Sequence, residues 1–321
     1  MSDQRLAAGV DLGGTKIYSL VADSEGHVLG EDRRPTNAAL GVDSVVERIV
    51  ASVRAALEHA DLEFADVEGL GISTPGPCDP ARGLISEAPN LGWIDVPLVE
   101  LVRKKVGIRT LLENDAAAAA YGEMRFGAAR GKQHVLYVTL GTGIGGGIII
   151  DGRIYRGASG AAGEVGHLVL EPDGALCNCG ARGCLEALAS GTAIAREAQK
   201  AIAEGRSVTM AGIAGDRGVT GEIVLEAAER GDAVAEEIIR RAGRYLGLGL
   251  VGLLNTFNPE ALILGGGLVG LGDLYLGPAF AAARECGFEQ ILNDVTMTTA
   301  ELGGRSGALG AAALITDRQP A

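Results

Sequence analysis

Three cysteines, Cys177, Cys179 and Cys184, stand within eight residues, and His167 lies ten residues before the first of them. Three thiolates and one imidazole make a closed tetrahedral zinc site, which holds structure and leaves no position open for a reacting molecule. Such a metal pins a loop that has little apolar mass of its own. The competing reading is three reduced thiols without a metal. An odd, clustered set of cysteines in a chain of 321 residues suits metal binding in a reducing compartment better than a disulfide framework. Cys78 and Cys286 are isolated and read as plain core or surface thiols.

Two glycine turns carry a second kind of chemistry. Asp11-Leu12-Gly13-Gly14-Thr15-Lys16 gathers a carboxylate, a glycine pair, a hydroxyl and an ammonium around one turn. Glycines let backbone N–H groups come close to phosphate oxygens. Thr15 adds a hydroxyl donor, Lys16 adds a charge, and Asp11 suits a hydrated magnesium ion. Gly141-Thr142-Gly143-Ile144-Gly145-Gly146 is a second such turn. It fits the dinucleotide pattern G-x-G-x-x-G, but that fingerprint must open a helix. Here Ile148-Ile149-Ile150 follows and reads as strand. Gly265-Gly266-Gly267, after an apolar run, is a third close-approach loop suited to a nucleoside, or simply a packing turn. No Walker-type loop occurs. Asp115, between an apolar run and five alanines, is the candidate general base for phosphoryl transfer, where a carboxylate orients the attacking hydroxyl. The bland reading of Asp115 is a helix N-cap, and both hold if Asn114 does the capping. Glu164 and Glu186 flank the cysteine segment, as acceptors for the hydroxyls of a sugar or as surface charge.

The elements that position these residues follow from pattern. Leu6–Leu12 and Ile17–Ala22 read as a hairpin with glycine at its tip, and Val135–Leu140 with Ile144–Ile150 repeats it. Two such hairpins suggest a duplicated domain. Leu70–Ser73, Ile108–Leu112 and Ala261–Leu264 read as further strands. Val42–His59, Ile194–Glu204, Thr220–Arg230, Ala233–Phe257 and Ala308–Asp317 read as helices. Glu164–Glu186 reads as irregular. No long linker separates two domains, so they are expected to meet closely around a ligand cleft.

Composition excludes several classes. Net charge is −13 and no basic stripe is visible, so no nucleic-acid partner is expected. No apolar stretch approaches the roughly 18 residues of a membrane span. Met1–Ala8 lacks the pattern of a secretory leader, and a cytoplasmic protein is expected.

Taken together, these motifs resemble the ROK family (repressor, open reading frame, kinase) of the actin-like superfamily. Ala8–Lys16 is similar to the family's first phosphate loop and Leu140–Gly147 to its second. Gly163-Glu164-Val165-Gly166-His167 resembles its Glu-x-Gly-His element. Cys177 to Glu186 matches C-x-C-G-x-x-G-C-x-E without a departure, and Asn258–Gly267 resembles the adenosine loop. One departure is Ala117, where the family often has asparagine.

The resemblance implies an α/β fold of duplicated actin-like (ribonuclease H-like) domains with a central cleft. The small domain would comprise residues 1–117 plus 306–321, and the large one residues 118–305. It implies ATP-dependent phosphorylation of the primary hydroxyl of a hexose, glucose favoured, with ATP, magnesium and structural zinc. N-acetylated amino sugars, fructose and mannose are the alternatives. A non-catalytic sugar-sensing regulator is the alternative of another class, although only ten residues precede Asp11, which leaves no room for a DNA-binding module in this sequence. By resemblance Asp115 is the base, and Gly76, Asn90, Asn114, Asp115, Glu164, His167 and Glu186 contact the sugar. Asp11, Gly13, Gly14, Thr15, Lys16, Gly141, Thr142, Gly143, Gly265, Gly266 and Gly267 surround the nucleotide. His167, Cys177, Cys179 and Cys184 hold the zinc, His167 turning its other ring nitrogen to the sugar. A homodimer or homotetramer is expected.

Overall fold

The structure, a computed structural model, describes residues 5–318. The first four residues of the leader reading and the last three of the small-domain reading lie outside the described residues.

The first sheet comprises β1 (Leu6–Leu12), β2 (Lys16–Asp23), β3 (Val28–Pro35), β4 (Leu70–Thr74) and β8 (Thr110–Asn114), in the order β3-β2-β1-β4-β8. β1 pairs antiparallel with β2, and β1, β4 and β8 run parallel. The parallel strands are apolar because both faces are covered. On one face lies α1 (Val42–Glu58), whose buried residues include Val45, Ile49 and Val53. On the other lies α11 (Ser306–Thr316), ten of whose eleven residues are buried. Two strand glycines let α11 rest directly on the sheet. A Cβ on Gly9 would stand 2.0 Å from the Ala308 carbonyl oxygen, and one on Gly71 would stand 2.0 Å from that of Ala311. A small sheet of β5 (Cys78–Asp79), β6 (Leu84–Ala88) and β7 (Trp93–Val96) precedes α2 (Leu98–Val106). After β8 comes α3 (Asp115–Phe126).

The second five-stranded sheet has the order β11-β10-β9-β12-β13, from β9 (Val135–Leu140), β10 (Ile144–Ile150), β11 (Arg153–Ile154), β12 (Ala261–Gly265) and β13 (Thr296–Thr299). Gly145 to Gly147 thus sit inside a strand, which removes the dinucleotide reading. The irregular metal segment leads into α4 (Leu185–Ala189), α5 (Gly191–Ala203), α6 (Val208–Ala214), α7 (Gly221–Glu229) and α8 (Ala233–Phe257). After β12 come α9 (Asp273–Cys286) and α10 (Glu289–Asp294). A Cβ on Gly243 or Gly247 of α8 would stand 2.2 or 2.3 Å from carbonyl oxygens of α9, so these glycines allow the two helices to close on each other.

The chain divides into two compact units. One comprises residues 1–137, 147–163 and 300–321, and the other residues 138–146 and 164–299. Among the described residues no helix is long and apolar enough to cross a membrane.

Candidate active site and metal centre

In the first unit the functional side chains stand at the carboxyl ends of β1, β4 and β8, where parallel strands deliver ligand-facing residues. Asp11 lies on β1, and its Oδ1 accepts from Ser73 Oγ on β4 at 3.0 Å. Burial pushes the Asp11 carboxyl above the usual carboxylate range, against the Ser73 hydrogen bond and the charge of Lys16. Gly13 and Gly14 form the turn into β2, closed by Gly13 N donating to Lys16 O at 2.9 Å. The Thr36 hydroxyl donates to Gly13 O at 2.6 Å and fixes the turn from β3's end. Thr15 and Lys16 are exposed beside it. Gly14 lies against Asn90, where a Cβ would be 3.0 Å from the Asn90 carbonyl oxygen. Glycine is required at Gly76, which has φ 81° and would place a Cβ 2.3 Å from Glu87 O.

β8 extends two residues further than the apolar run suggests, because it pairs with β4 up to Thr74 and Asn114. Asn114 is the N-cap of α3: its side chain accepts from Ala116 N at 3.0 Å and Ala117 N at 3.1 Å. Its amide donates to Gly76 O at 3.4 Å. Asp115 begins the helix, and its Oδ1 accepts from Ala116 N at 2.7 Å. The helix N-terminus favours a carboxylate at this position. Asn114, Asp115, Gly76, Asn90, Asp11 and the first glycine turn therefore all belong to this unit.

Two residues here escaped sequence reasoning. Glu113, 2% exposed, accepts from Arg156 at 2.7 and 2.9 Å and from Asn114 N at 3.0 Å. Burial still holds its carboxyl above the usual range. Glu123 is fully buried on α3 and accepts from Ala128 N, Glu301 N, Leu302 N and Ser306 Oγ at 2.8–3.1 Å. Their partners lie far off in sequence. The only available signal was a charge set in an otherwise apolar or alanine-rich run.

In the second unit, Gly141, Thr142 and Gly143 form the turn between β9 and β10, with Gly141 N donating to Gly143 O at 3.0 Å. The start of α5 holds this turn: Gly191 N donates to Gly141 O at 2.9 Å, and Thr192 Oγ1 to Thr142 O at 2.8 Å. Gly265 ends β12. Gly266 has φ 87°, and its Cβ would stand 2.3 Å from Leu140 O, so the third glycine loop lies against the end of β9.

His167, Cys177, Cys179 and Cys184 come together, with ligand atoms all within 4.8 Å of one another. Cys177 Sγ is 3.7 Å from His167 Nδ1, and Cys179 Sγ is 3.7 Å from Cys184 Sγ. Zinc–sulfur bonds of about 2.3 Å and zinc–nitrogen bonds of about 2.0 Å place tetrahedral ligands roughly 3.5–3.8 Å apart. The donor set and these two separations fit such an ion. Nδ1 faces the sulfurs, which leaves His167 Nε2 turned to Glu164 at 3.8 Å. The knot is folded by Cys177 N donating to Ala181 O at 2.8 Å and by Gly183 N donating to Ala175 O at 2.8 Å. Tyr245 of α8 donates to Glu171 and ties the knot to that helix. Glu186 lies two residues beyond the last cysteine, its Oε2 accepting from Ile144 N at 2.9 Å. Of the isolated thiols, Cys78 is buried and pushed up to about 12 by burial, while Cys286 is exposed.

The sequence profile of the ROK family matches residues 7–318. The chain belongs to the ROK family. Glucokinase from Streptomyces coelicolor is 39% identical over 98% of this chain and 99% of its own. A ROK family glucokinase from Streptomyces griseus, solved in complex with glucose and AMPPNP, is 41% identical with a TM-score of 0.82, over 97% of this chain and 99% of its own. A ROK hexokinase from Thermus thermophilus is 37% identical with a TM-score of 0.81, over 96% and 97%. The fold is accordingly the α/β, actin-like fold of ROK sugar kinases.

Proposed function

We propose that this ROK protein is an ATP-dependent hexose kinase that transfers the γ-phosphoryl group to the primary hydroxyl of glucose, giving glucose 6-phosphate. The observation that carries this reading is the near-full-length match, at 41% identity, to the Streptomyces griseus glucokinase solved with glucose and AMPPNP. The presence of Asp115 at the head of α3, beside the Asn114 cap, supports it.

Phosphoryl transfer asks the protein mainly to position groups and stabilise charge. Asp115 accepts the proton of the attacking hydroxyl. Asn114, Asn90 and the Gly76 backbone orient the sugar, together with Glu164, His167 Nε2 and Glu186. Backbone N–H groups of Gly13–Lys16 and Gly141–Gly143 bind phosphate oxygens, and Gly265–Gly267 approaches the adenosine. Asp11 would hold magnesium through its Oδ2, since Oδ1 is engaged by Ser73. When bound, that ion neutralises charge on the phosphates. His167 Nδ1 and the thiolates of Cys177, Cys179 and Cys184 would hold zinc, which would fix the loop and supply no step of the chemistry. The kinase works in the cytoplasm as a homodimer or homotetramer, a reading that rests on the family.

The test is ADP release with magnesium and ATP against glucose, mannose, fructose, N-acetylglucosamine and N-acetylmannosamine. Highest kcat/KM for glucose is expected. Preference for another sugar would keep the mechanism and change the substrate. No turnover on any of them by folded, metal-loaded protein would overturn the kinase reading in favour of a sugar-binding regulator.

A further inference from the structure

The metal knot touches the second glycine turn as well as the residues assigned to the sugar. Ile144, the first residue of β10, is gripped on both of its backbone polar groups. Its N–H donates to Glu186 Oε2 at 2.9 Å. Its carbonyl oxygen lies against Gly166, so closely that a Cβ on Gly166 would stand 2.1 Å away. Gly166 adjoins His167, and Glu186 is two residues beyond Cys184. Both ends of the metal-ligand set therefore bear on one residue.

Gly143 completes the arrangement, since a Cβ there would stand 2.3 Å from Glu186 Oε2. Glu186 Oε1 in turn lies 3.9 Å from Cys177 Sγ. The helix turn that carries Glu186 starts at Cys184 and runs into Ser190, Gly191 and Thr192, the last two of which hold the carbonyls of Gly141 and Thr142. Three consecutive residues of the turn, and the strand that follows, are thus anchored to elements that Cys184 and His167 position.

We infer that the metal knot, acting through Glu186 and Gly166, sets the conformation of the Gly141–Ile144 loop for nucleotide phosphates, so that the metal controls nucleotide affinity even without sugar. Glu186 is here a positioning residue for the loop in addition to any contact with sugar. The inference rests on the kinase reading above. A backbone loop binds phosphate well only if its N–H groups are already aimed, because ordering them on binding would cost affinity. A carboxylate accepting from the loop is a charge-assisted tether, and its loss is expected to weaken binding about tenfold or more.

The experiment measures binding of magnesium AMPPNP by calorimetry, without sugar, to the full chain and two variants, with metal content and amide hydrogen exchange followed in parallel. Cys179→Ser removes the exposed ligand and is expected to lower metal content. Glu186→Ala keeps the metal and removes the tether. Both should weaken AMPPNP about tenfold and speed exchange in the peptide containing Ile144. Unchanged AMPPNP affinity and unchanged exchange in Glu186→Ala, with glucose affinity alone reduced, would overturn the inference. Failure of the unaltered, metal-loaded protein to bind AMPPNP would instead overturn the kinase reading, and this inference with it.

Discussion

Glu123 offers the sharpest test of how α3, the helix that begins with the proposed base, is held. It is fully buried on α3, the helix that Asp115 begins, and its carboxylate takes four hydrogen bonds: Ala128 N and Glu301 N on Oε2, Leu302 N and Ser306 Oγ on Oε1. Glu123→Gln replaces one oxygen with an NH2 group of nearly the same size. If the nitrogen takes the Oε2 position, two backbone N–H groups face a donor. If it takes the Oε1 position, the Ser306 hydroxyl can rotate to accept, and only Leu302 N–H is stranded. The second orientation is cheaper. It leaves one buried N–H unpaired, at about 1–3 kcal/mol, and removes the charge assistance from the remaining bonds, for a total of about 3–5 kcal/mol. That is a large fraction of the roughly 5–15 kcal/mol that holds a typical domain together. Trp93, the sole tryptophan, is buried in the core of the same unit and reports its unfolding by fluorescence. Urea titration should show a lower midpoint with an unchanged slope. A loss below about 1 kcal/mol, the size of an ordinary surface change or less, would refute the assignment of Glu123 as the clamp between α3 and the turn before α11.

Asp115→Asn should lower kcat by about 10²- to 10⁴-fold, the usual worth of a positioned general base, while calorimetric glucose affinity stays within about threefold. Retention of more than about a tenth of kcat would remove Asp115 from the role. Asp11→Asn tests a trade between stability and function. Burial raises the Asp11 pKa in the folded state, so this group favours folding below its unfolded value and loses that contribution as pH rises through the raised one. The asparagine variant should therefore melt higher than the unaltered protein at pH 7.5, with the gap closing towards pH 4, while magnesium-dependent turnover collapses. A variant that melts no higher at pH 7.5 would contradict the burial argument.

The periodic elements are legible in the sequence. β9, β10 and α8 run over the residues that alternation and helical spacing mark, and β1 does the same. The metal cluster is legible because its four ligands fall within eighteen residues, and a local glycine-rich turn can hardly avoid bringing them together. β3 is not legible: it is an edge strand carrying Glu31, Asp32, Arg33 and Arg34, and solvent on its outer side removes the need for apolar alternation. β5, β6 and β7 are two to five residues long and exist through pairing with one another. Gly277 and Pro278 disguise α9, which packing against the glycines of α8 sustains. Within the site, the Glu113–Arg156 pair spans 43 residues and the Glu123–Ser306 bond 183. No local pattern announces contacts over such separations.

The burial of α11 against β1 and β4 bears on how the chain is born. The two strands leave the ribosome with the first 74 residues, yet the helix that covers one face of their sheet is residues 306–316. Until residues 306–316 are synthesised, the apolar underside of β1, β2 and β4, including Ala7, Leu20 and the backbone at Gly9 and Gly71, has no lid. The second unit, by contrast, draws almost all of its residues from one stretch, 164–299, and is complete before that helix emerges. Domains generally fold as units during synthesis, the N-terminal one first; here the earlier-encoded unit cannot close its sheet until residues 306–316 are made, after the whole of the 164–299 stretch.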